Sequence, residues 1–127
     1  MRFAAAVVFV EDVPATMDFY ERSFGFARKF YDPEYGYGEL ETGSATLAVG
    51  SHSCADFVTR GAYQRLSGGS SVEIAFTMAD VEPAFRKAVE EGAEAVTEPW
   101  SPPWGGTIAY VRAPEGTLIG LATPLDG

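Results

Sequence analysis

The chain is poor in the side chains that most often carry metal or nucleophilic chemistry. Its 127 residues include one cysteine, Cys54, and one histidine, His52. A single cysteine excludes a disulfide within the chain and is typical of a reducing compartment, so we expect a cytoplasmic protein. With only one histidine and one cysteine in the chain, no Ser-His-Asp or Cys-His catalytic arrangement is evident. His52 and Cys54 supply only two metal ligands, and we interpret them as a solvated pair in a loop.

Positive charge is also scarce. Nine Lys and Arg residues against eighteen Asp and Glu residues give a formal net charge of −9. Nucleic-acid binding depends on neutralising phosphates with basic side chains, so this balance argues against a nucleic-acid partner. An acidic surface favours cationic partners, although solubility alone is the simpler explanation.

Long apolar runs are absent as well. The longest covers residues 3–10, whereas a membrane-spanning helix needs about 20 residues. It also lacks the charged leader and small-residue cleavage site of a signal peptide. We therefore expect neither a membrane partner nor secretion. The length of the chain fits one domain with its own core.

Two stretches of the chain repeat the same order of elements, which indicates a duplicated fold. An apolar run precedes Asp12 and another precedes Asp80, and a run with helical periodicity follows each aspartate. The helical runs are residues 14–24, with Met17, Tyr20 and Phe24 on one face, and residues 82–91, with Val81, Phe85, Ala88 and Val89 on one face. A glycine ends each run, Gly25 and Gly92, as is common at helix C-termini.

Asp12 and Asp80 stand where each helix needs an N-cap. A carboxylate at that position accepts hydrogen bonds from the free N–H groups of the first turn. Pro14 and Pro83 lie in those first turns, where we expect a missing N–H to cost nothing. We therefore interpret both aspartates as structural caps and not as catalytic acids.

Alternating segments separated by glycine-containing turns predict three strands after each helix. They are residues 27–31, 36–40 and 45–49 in the first half, and residues 95–97, 107–112 and 117–122 in the second. With the strand before each helix, each half is β-α-β-β-β. We expect one domain with module 1 at about 1–50, a linker at 51–71 and module 2 at about 72–127.

The linker contains two further features. Residues 55–66 predict a helical turn, and residues 67–71, Ser-Gly-Gly-Ser-Ser, predict a flexible hinge. Such a hinge allows the halves to be exchanged between two chains, so we expect a homodimer. Exchange of halves and side-by-side association both stay open.

Short motifs recur in the two halves. The first has V-x-D-V at residues 10–13, F-Y at 19–20 and G-F at 25–26. The second has M-A-D-V at 78–81 and ends in A-P-E-G-T-L-I-G-L at 113–121. In order and spacing these motifs resemble the glyoxalase/bleomycin-resistance/dioxygenase (vicinal oxygen chelate) superfamily over nearly the whole chain. The resemblance implies an α+β fold in which two βαβββ modules form a cup-shaped mixed sheet.

In such a fold the leading strand of each module has one face toward the cup, because strand side chains alternate. The residues expected to face the cup are Ala5, Val7 and Phe9 in the first module and Glu73, Ala75 and Thr77 in the second. The residues expected to pack inward are Ala6, Val8 and Val10, and Ile74, Phe76 and Met78.

The resemblance also implies where a metal would be bound. Metal-dependent members carry His, Gln or Glu at the first cup position of each leading strand, and Glu in the final strand. The corresponding positions here are Ala5, Ala48, Glu73 and Gly120. One carboxylate does not make a site for a divalent ion, so we expect a metal-free member without a cofactor. The three small residues should leave open room for a ligand.

Two tryptophans are candidate ligand contacts. Trp100 and Trp104 lie in a Pro- and Gly-rich loop, residues 98–106, and each offers a flat face to a planar or cationic molecule. Ligand contact and capping of the core are equally good explanations for each of them.

Other candidates come from the predicted strands. Tyr35, Tyr37 and Glu39 alternate and therefore share a face. They are either ligand contacts or ordinary surface residues of a hairpin. Phe9 and Tyr110 are further candidates, for which core packing is at least as good an explanation.

Glu73 is the single acidic residue among the four metal positions. A carboxylate on a concave, apolar strand face is costly unless it is paired or solvated. It would attract an ammonium or guanidinium group of a ligand, or pair with an internal basic residue such as Arg112.

We therefore expect a binding protein in preference to an enzyme. Its ligand would be a small planar natural product or antibiotic that can carry positive charge, as the resemblance to bleomycin-resistance proteins implies. One alternative is a metal-dependent glyoxalase- or dioxygenase-type enzyme with Glu73 as a base or metal ligand. Another is an accessory binding protein of a natural-product biosynthetic pathway.

Overall fold

The computed structural model describes residues 3–65 and 72–124. The chain divides into two compact units, Met1–Ser67 and Gly68–Gly127, here called the N-terminal unit and the C-terminal unit. The predicted hinge at residues 67–71 lies outside the described residues. Within the described ranges, no helix is both long enough and apolar enough to cross a bilayer.

The N-terminal unit has the predicted β-α-β-β-β order followed by a short helix. Its elements are β1 (Ala5–Val10), α1 (Val13–Phe24), β2 (Ala27–Asp32), β3 (Tyr37–Glu41), β4 (Thr46–Ser51) and α2 (His52–Val58). The four strands form one mixed sheet in the order β1-β4-β3-β2, with β1 parallel to β4 and the other neighbours antiparallel. The helical turn predicted within residues 55–66 corresponds to the end of α2, which begins earlier than predicted, at His52, directly after β4.

The C-terminal unit repeats this arrangement. Its elements are β5 (Glu73–Thr77), α3 (Val81–Glu90), β6 (Glu94–Trp100), β7 (Ile108–Arg112) and β8 (Leu118–Ala122). The sheet order β5-β8-β7-β6 matches that of the first unit, again with one parallel pair. The expected α+β fold of two βαβββ modules is therefore confirmed. The prediction that put Trp100 in a loop is wrong, because β6 extends through Pro99 to Trp100 along the edge of the sheet, where a missing N–H is tolerated.

One face of each sheet is covered by its own helix. In the N-terminal unit, Met17 and Tyr20 of α1 are fully buried, together with Leu40 and Val49 of the sheet. In the C-terminal unit the buried residues of the helix and sheet are Val81, Phe85, Ala88, Val111, Ile119 and Leu121. Val89, which we assigned to the same face, is exposed. Successive helical residues are rotated by about 100°, which places Val89 beyond the edge of the stripe formed by Val81, Phe85 and Ala88.

The predicted alternation of the leading strands is confirmed. On β5, Glu73, Ala75 and Thr77 are exposed, whereas Ile74 and Phe76 between them are partly buried. On β1, Val7 and Phe9 lie on the face away from α1 and line a cavity. Each sheet therefore has a second face that its main helix does not cover.

The two predicted helix caps differ. The Asp12 carboxylate accepts a hydrogen bond of 3.1 Å from the backbone N–H of Ala15, the third residue of α1. Asp80 occupies the N-cap position of α3 but makes no capping hydrogen bond. The third residue of α3 is Pro83, which has no N–H to donate. The capping hydrogen bond expected of Asp80 is therefore absent.

This difference predicts unequal effects of removing the two carboxylates. Asp12→Ala should lower the free energy of unfolding by about 0.5–2 kcal/mol, as expected for loss of an N-cap hydrogen bond. Asp80→Ala, the matched control, should have a smaller effect because no such bond is lost. Urea denaturation of the two variants measures both values. An equal loss of stability in both would contradict this account of the caps.

Candidate ligand-binding site

A cavity of about 460 Å³ opens on the uncovered sheet face of the N-terminal unit. This volume is within the range of small-molecule sites, about 300–1,000 Å³. Its lining is nearly all apolar and contains five aromatic rings. The lining residues are Val7, Phe9, Phe30, Asp32, Tyr35, Tyr37, Cys54, Phe57 and Val58.

The sheet supplies the floor of the cavity. Phe30 on β2 and Tyr37 on β3 lie on one face, with ring centroids 5.9 Å apart and planes tilted by 43°. Phe9 lies against Gly50 of β4, where an added Cβ would come within 3.1 Å of two atoms of the Phe9 ring. Glycine at position 50 therefore lets the Phe9 ring lie close against the strand. Phe9 and Tyr37, which were predicted separately as candidate ligand contacts, line the same cavity.

The mouth of the cavity is formed by the turn between β2 and β3 and by α2. Tyr35 of the turn and Phe57 of α2 are in ring contact, with centroids 5.8 Å apart, although 52% and 67% of their surfaces are exposed. Both segments are anchored by Ser51. Its backbone N–H donates to the Gly36 carbonyl at 2.7 Å, and its hydroxyl accepts from the Cys54 N–H at 3.0 Å.

His52 and Cys54 are not the solvated loop pair that we expected, because both belong to α2. Cys54 is only 7% exposed and lines the cavity. The His52 Nδ1 is 2.8 Å from the Tyr63 hydroxyl, and the two rings are stacked. Tyr63 in turn makes an edge contact with Phe9 at 5.3 Å between centroids. His52 therefore supports the cavity wall from behind.

Two polar groups on the sheet are already paired. The Tyr37 hydroxyl donates to Glu39 Oε2 at 2.8 Å, and Lys29 Nζ is 3.7 Å from Glu39 Oε1. Burial, and then the hydrogen bond and charge of Glu39, raise the pKa of Tyr37 to about 12. Tyr37 is therefore protonated at neutral pH, with its proton directed to Glu39. Glu39, a predicted ligand contact, has an internal role next to the cavity.

Asp32 is the single carboxylate that lines the cavity, at the end of β2. It pairs in register with Tyr37. Its Oδ1 accepts a hydrogen bond of 2.9 Å from the backbone N–H of Glu34, which stabilises the turn that carries Tyr35.

In the C-terminal unit, Glu73 has an internal partner, but not the one we named. Its neighbour is Tyr110, whose pKa is raised first by burial and then by the charge and hydrogen bonding of the Glu73 carboxylate. The Arg112 guanidinium donates instead to the Gly116 carbonyl at 3.1 Å. A Cβ at position 120 would lie 2.8 Å from Glu73 Oε2. Gly120 therefore does not leave open room as predicted, because the Glu73 carboxylate occupies it.

The remaining predicted residues have different surroundings. Ala48 is fully buried between its register partners Val7 and Glu39, so it too leaves no open room, and Ala5 is partly buried. Trp100 and Trp104 expose 47% and 67% of their surfaces. Trp104 lies in a turn closed by the Gly105 N–H and the Pro102 carbonyl. Ligand contact by either tryptophan stays a prediction.

Several lining residues were missed by the sequence analysis, and a signal existed for most of them. Cys54, Phe57 and Val58 are spaced i, i+3, i+4, which is the apolar face of a helix. Ser51, three residues before Cys54, is a favoured N-cap residue. Phe30 and Asp32 alternate on β2 and therefore share one face.

The comparisons with known proteins agree with this architecture. The chain belongs to the Glyoxalase/Bleomycin resistance protein/Dioxygenase superfamily, whose family model matches residues 2–121. No curated protein matches the chain.

Several solved structures are similar to this chain in fold. A glyoxalase-related enzyme from Fulvimarina pelagi has a TM-score of 0.86 at 22% identity, covering 98% of this chain and 88% of that one. A family enzyme from Burkholderia phytofirmans PsJN has a TM-score of 0.87 at 21% identity, covering 98% and 100%. TioX from Micromonospora sp. ML1 has a TM-score of 0.74 at 22% identity, covering 98% and 100%. At these identities the likeness shows the fold alone.

The side chains at the family's metal positions do not fit a divalent ion. Ala5, Ala48 and Gly120 have no donor atom, and Glu73 is engaged by Tyr110. In residues 3–65 and 72–124, no three His, Cys, Asp or Glu side chains are grouped so that they could hold a metal. A divalent ion needs several oxygen or nitrogen ligands, which these positions do not supply.

The pairing of Tyr37 with Glu39 predicts a distinct alkaline titration. Tyr37 should ionise near pH 12, and Tyr37→Phe should lack that step in tyrosinate absorbance. Since the folded pKa lies above the ordinary 10.0, the unfolded chain loses this proton first, and the free energy of unfolding should fall as the pH rises from 10 to about 12.

Glu39→Gln is the control for this titration. It keeps an oxygen that can accept the hydrogen bond but removes the charge. The pKa of Tyr37 should then fall only part of the way, because burial is its largest cause. A Tyr37→Phe curve that superimposes on the wild-type curve would disprove the assignment.

Proposed function

We propose that this protein binds a small planar aromatic molecule, of the natural-product or antibiotic class, in the cavity of the N-terminal unit and releases it unchanged. The observation that carries the proposal is the lining itself, in which five aromatic rings line an open cavity of about 460 Å³ on a sheet face that α1 does not cover. Aromatic walls with a few polar groups are typical of small-molecule sites.

The energetics of such a site favour a ligand with ring faces. A planar molecule that buries about 200 Å² of apolar surface gains about 5 kcal/mol, at about 25 cal/mol per Å². Association costs at least about 4 kcal/mol in translational and rotational freedom, which nearly cancels this gain. Ring contacts add about 0.5–1.5 kcal/mol each, so Phe9, Phe30, Tyr35, Tyr37 and Phe57 would supply much of the net affinity.

The polar groups of the lining support binding without chemical change. Among the described residues that line the cavity there is no histidine or lysine to activate the Cys54 thiol. Tyr37 is protonated at neutral pH and so is a poor base. Sequestration, as in drug resistance, and delivery in a biosynthetic pathway would use the same site.

Acridine tests the proposal, since it is planar and aromatic. At about pH 8 it should bind saturably, with one molecule per chain, in titrations followed by its fluorescence. Phe57→Ala should weaken binding about 3- to 10-fold through loss of one ring contact, and because Phe57 is 67% exposed the fold should be unaffected. Phe3→Ala, which removes a phenylalanine that is exposed outside the cavity, is the matched control.

The single thiol of the chain gives an independent readout. Cys54 lines the cavity, so bound acridine should slow its reaction with a thiol reagent, and Phe57→Ala should reduce that protection. Absence of saturable binding, or binding that leaves the thiol reaction rate unchanged, would contradict the proposed site.

The alternative function, a metal-dependent enzyme, makes a different prediction. Protein incubated with Zn²⁺, Ni²⁺, Mn²⁺ or Fe²⁺ and then dialysed should retain far less than one equivalent, because the donor set at Ala5, Ala48, Glu73 and Gly120 is too small. Elemental analysis measures this, with a known zinc protein as the control. Stoichiometric retention of one ion would favour the enzyme over the binding protein.

A further inference from the structure

We propose that Asp32 makes this cavity selective for cations, so that its ligand is a planar aromatic molecule with a protonated nitrogen. The inference rests on the proposed function and narrows its ligand class. Asp32 is the one carboxylic acid in the lining, and it lies on the same sheet face as the aromatic rings of Phe30 and Tyr37.

The basic residues closest to Asp32 in the sequence, Arg28 and Lys29, form ion pairs with other carboxylates. On β2, Arg28 contacts Asp18 and Glu21 of α1 at 3.0 and 2.6 Å. Lys29 lies 3.7 and 3.8 Å from Glu39 and Glu41. In the described part of the N-terminal unit, no Lys or Arg forms an ion pair with Asp32. The carboxylate therefore lines an apolar cavity without a basic partner among residues 3–65, which is costly unless water or a ligand solvates it.

The geometry of Asp32 leaves its carboxylate able to accept a hydrogen bond from a ligand. Its Oδ1 accepts the Glu34 N–H at 2.9 Å, which holds the side chain in place at the end of β2. A carboxylate has about four acceptor positions, so at least two remain. A hydrogen bond between an ammonium and a carboxylate is about twice as strong as one between neutral groups.

The other polar groups of the lining also present more hydrogen-bond acceptors than donors to a ligand. The Tyr37 proton is directed to Glu39, so its oxygen presents lone pairs. The aromatic faces attract cations through their quadrupoles. No lining side chain carries a positive charge for a ligand anion, and among these side chains the Tyr35 hydroxyl and the Cys54 thiol are the remaining donors.

Two probes of nearly the same shape separate charge from aromatic contact. At about pH 8 acridine is neutral, whereas 9-aminoacridine is a cation. The wild-type protein should bind 9-aminoacridine at least about tenfold more tightly than acridine, consistent with one charge-assisted hydrogen bond. In Asp32→Asn this preference should fall to about twofold or less, with the affinity for acridine nearly unchanged.

Two variants separate a specific role of the Asp32 carboxylate from a general effect of removing one negative charge. Asp32→Asn keeps an oxygen that can accept the Glu34 N–H, and continued acridine binding shows that the cavity is intact. Asp56→Asn removes an exposed carboxylate of α2 outside the lining and should keep the full preference. A preference that falls equally in both variants, or that is absent in the wild-type protein although both probes bind, overturns the role of Asp32. If neither probe binds the wild-type protein, the proposed function itself is wrong.

Discussion

Each sheet of this protein has two faces and one long helix to cover them. In the N-terminal unit, α1 buries one face through Met17 and Tyr20, and the opposite face carries Val7, Phe9 and Phe30. Apolar surface of this kind is costly to leave in water. The short helix α2 and the turn that carries Tyr35 cover part of it. The part of this sheet face that neither α2 nor the turn covers forms the cavity. The site therefore exists because no long helix packs on this face within the part of the N-terminal unit that the structure describes.

Ser51 makes this partial cover a defined structure. It ends β4, begins α2 as its N-cap, and binds the carbonyl of Gly36 in the facing turn. One residue therefore sets the position of both sides of the cavity mouth. Because Ser51 belongs to the sheet, it fixes the position of the cavity mouth relative to the strands that carry Phe9 and Tyr37.

The sequence predicted the duplicated fold because its signals are local and occur twice. Apolar strand, acidic cap, helix and glycine recur in the same order, and each has a physical reason at its position. Contacts between elements were less predictable. The missing cap at Asp80 depends on whether the proline is the second or the third residue of the helix. The filling of the space at Gly120 depends on Glu73 and Tyr110, which come from different strands.

The site was predicted in part for the same reason. Phe9 and Tyr37 were predicted because alternation on a strand places side chains on one face. Tyr35 was predicted by the same alternation, but it lines the cavity from the turn between β2 and β3. Phe57 and Val58 were missed because the helical turn was predicted only from residue 55, so the shared face of Cys54, Phe57 and Val58 was not recognised. Asp32 was missed because the predicted strand ended at residue 31, one residue before it. Glu73 was predicted to contact the ligand because it is an acid at one of the family's metal positions. The acid that lines the cavity is Asp32 instead.

The edge strand β6 has a consequence for association between chains. It carries Pro99, which cannot donate a hydrogen bond, and exposed carboxylates at Glu94 and Glu98, and its pairing with β7 shifts register twice. Proline, charge and irregular pairing each discourage a foreign strand from adding to a sheet edge. This side of the C-terminal unit is therefore protected against the open-ended strand addition that leads to fibrils.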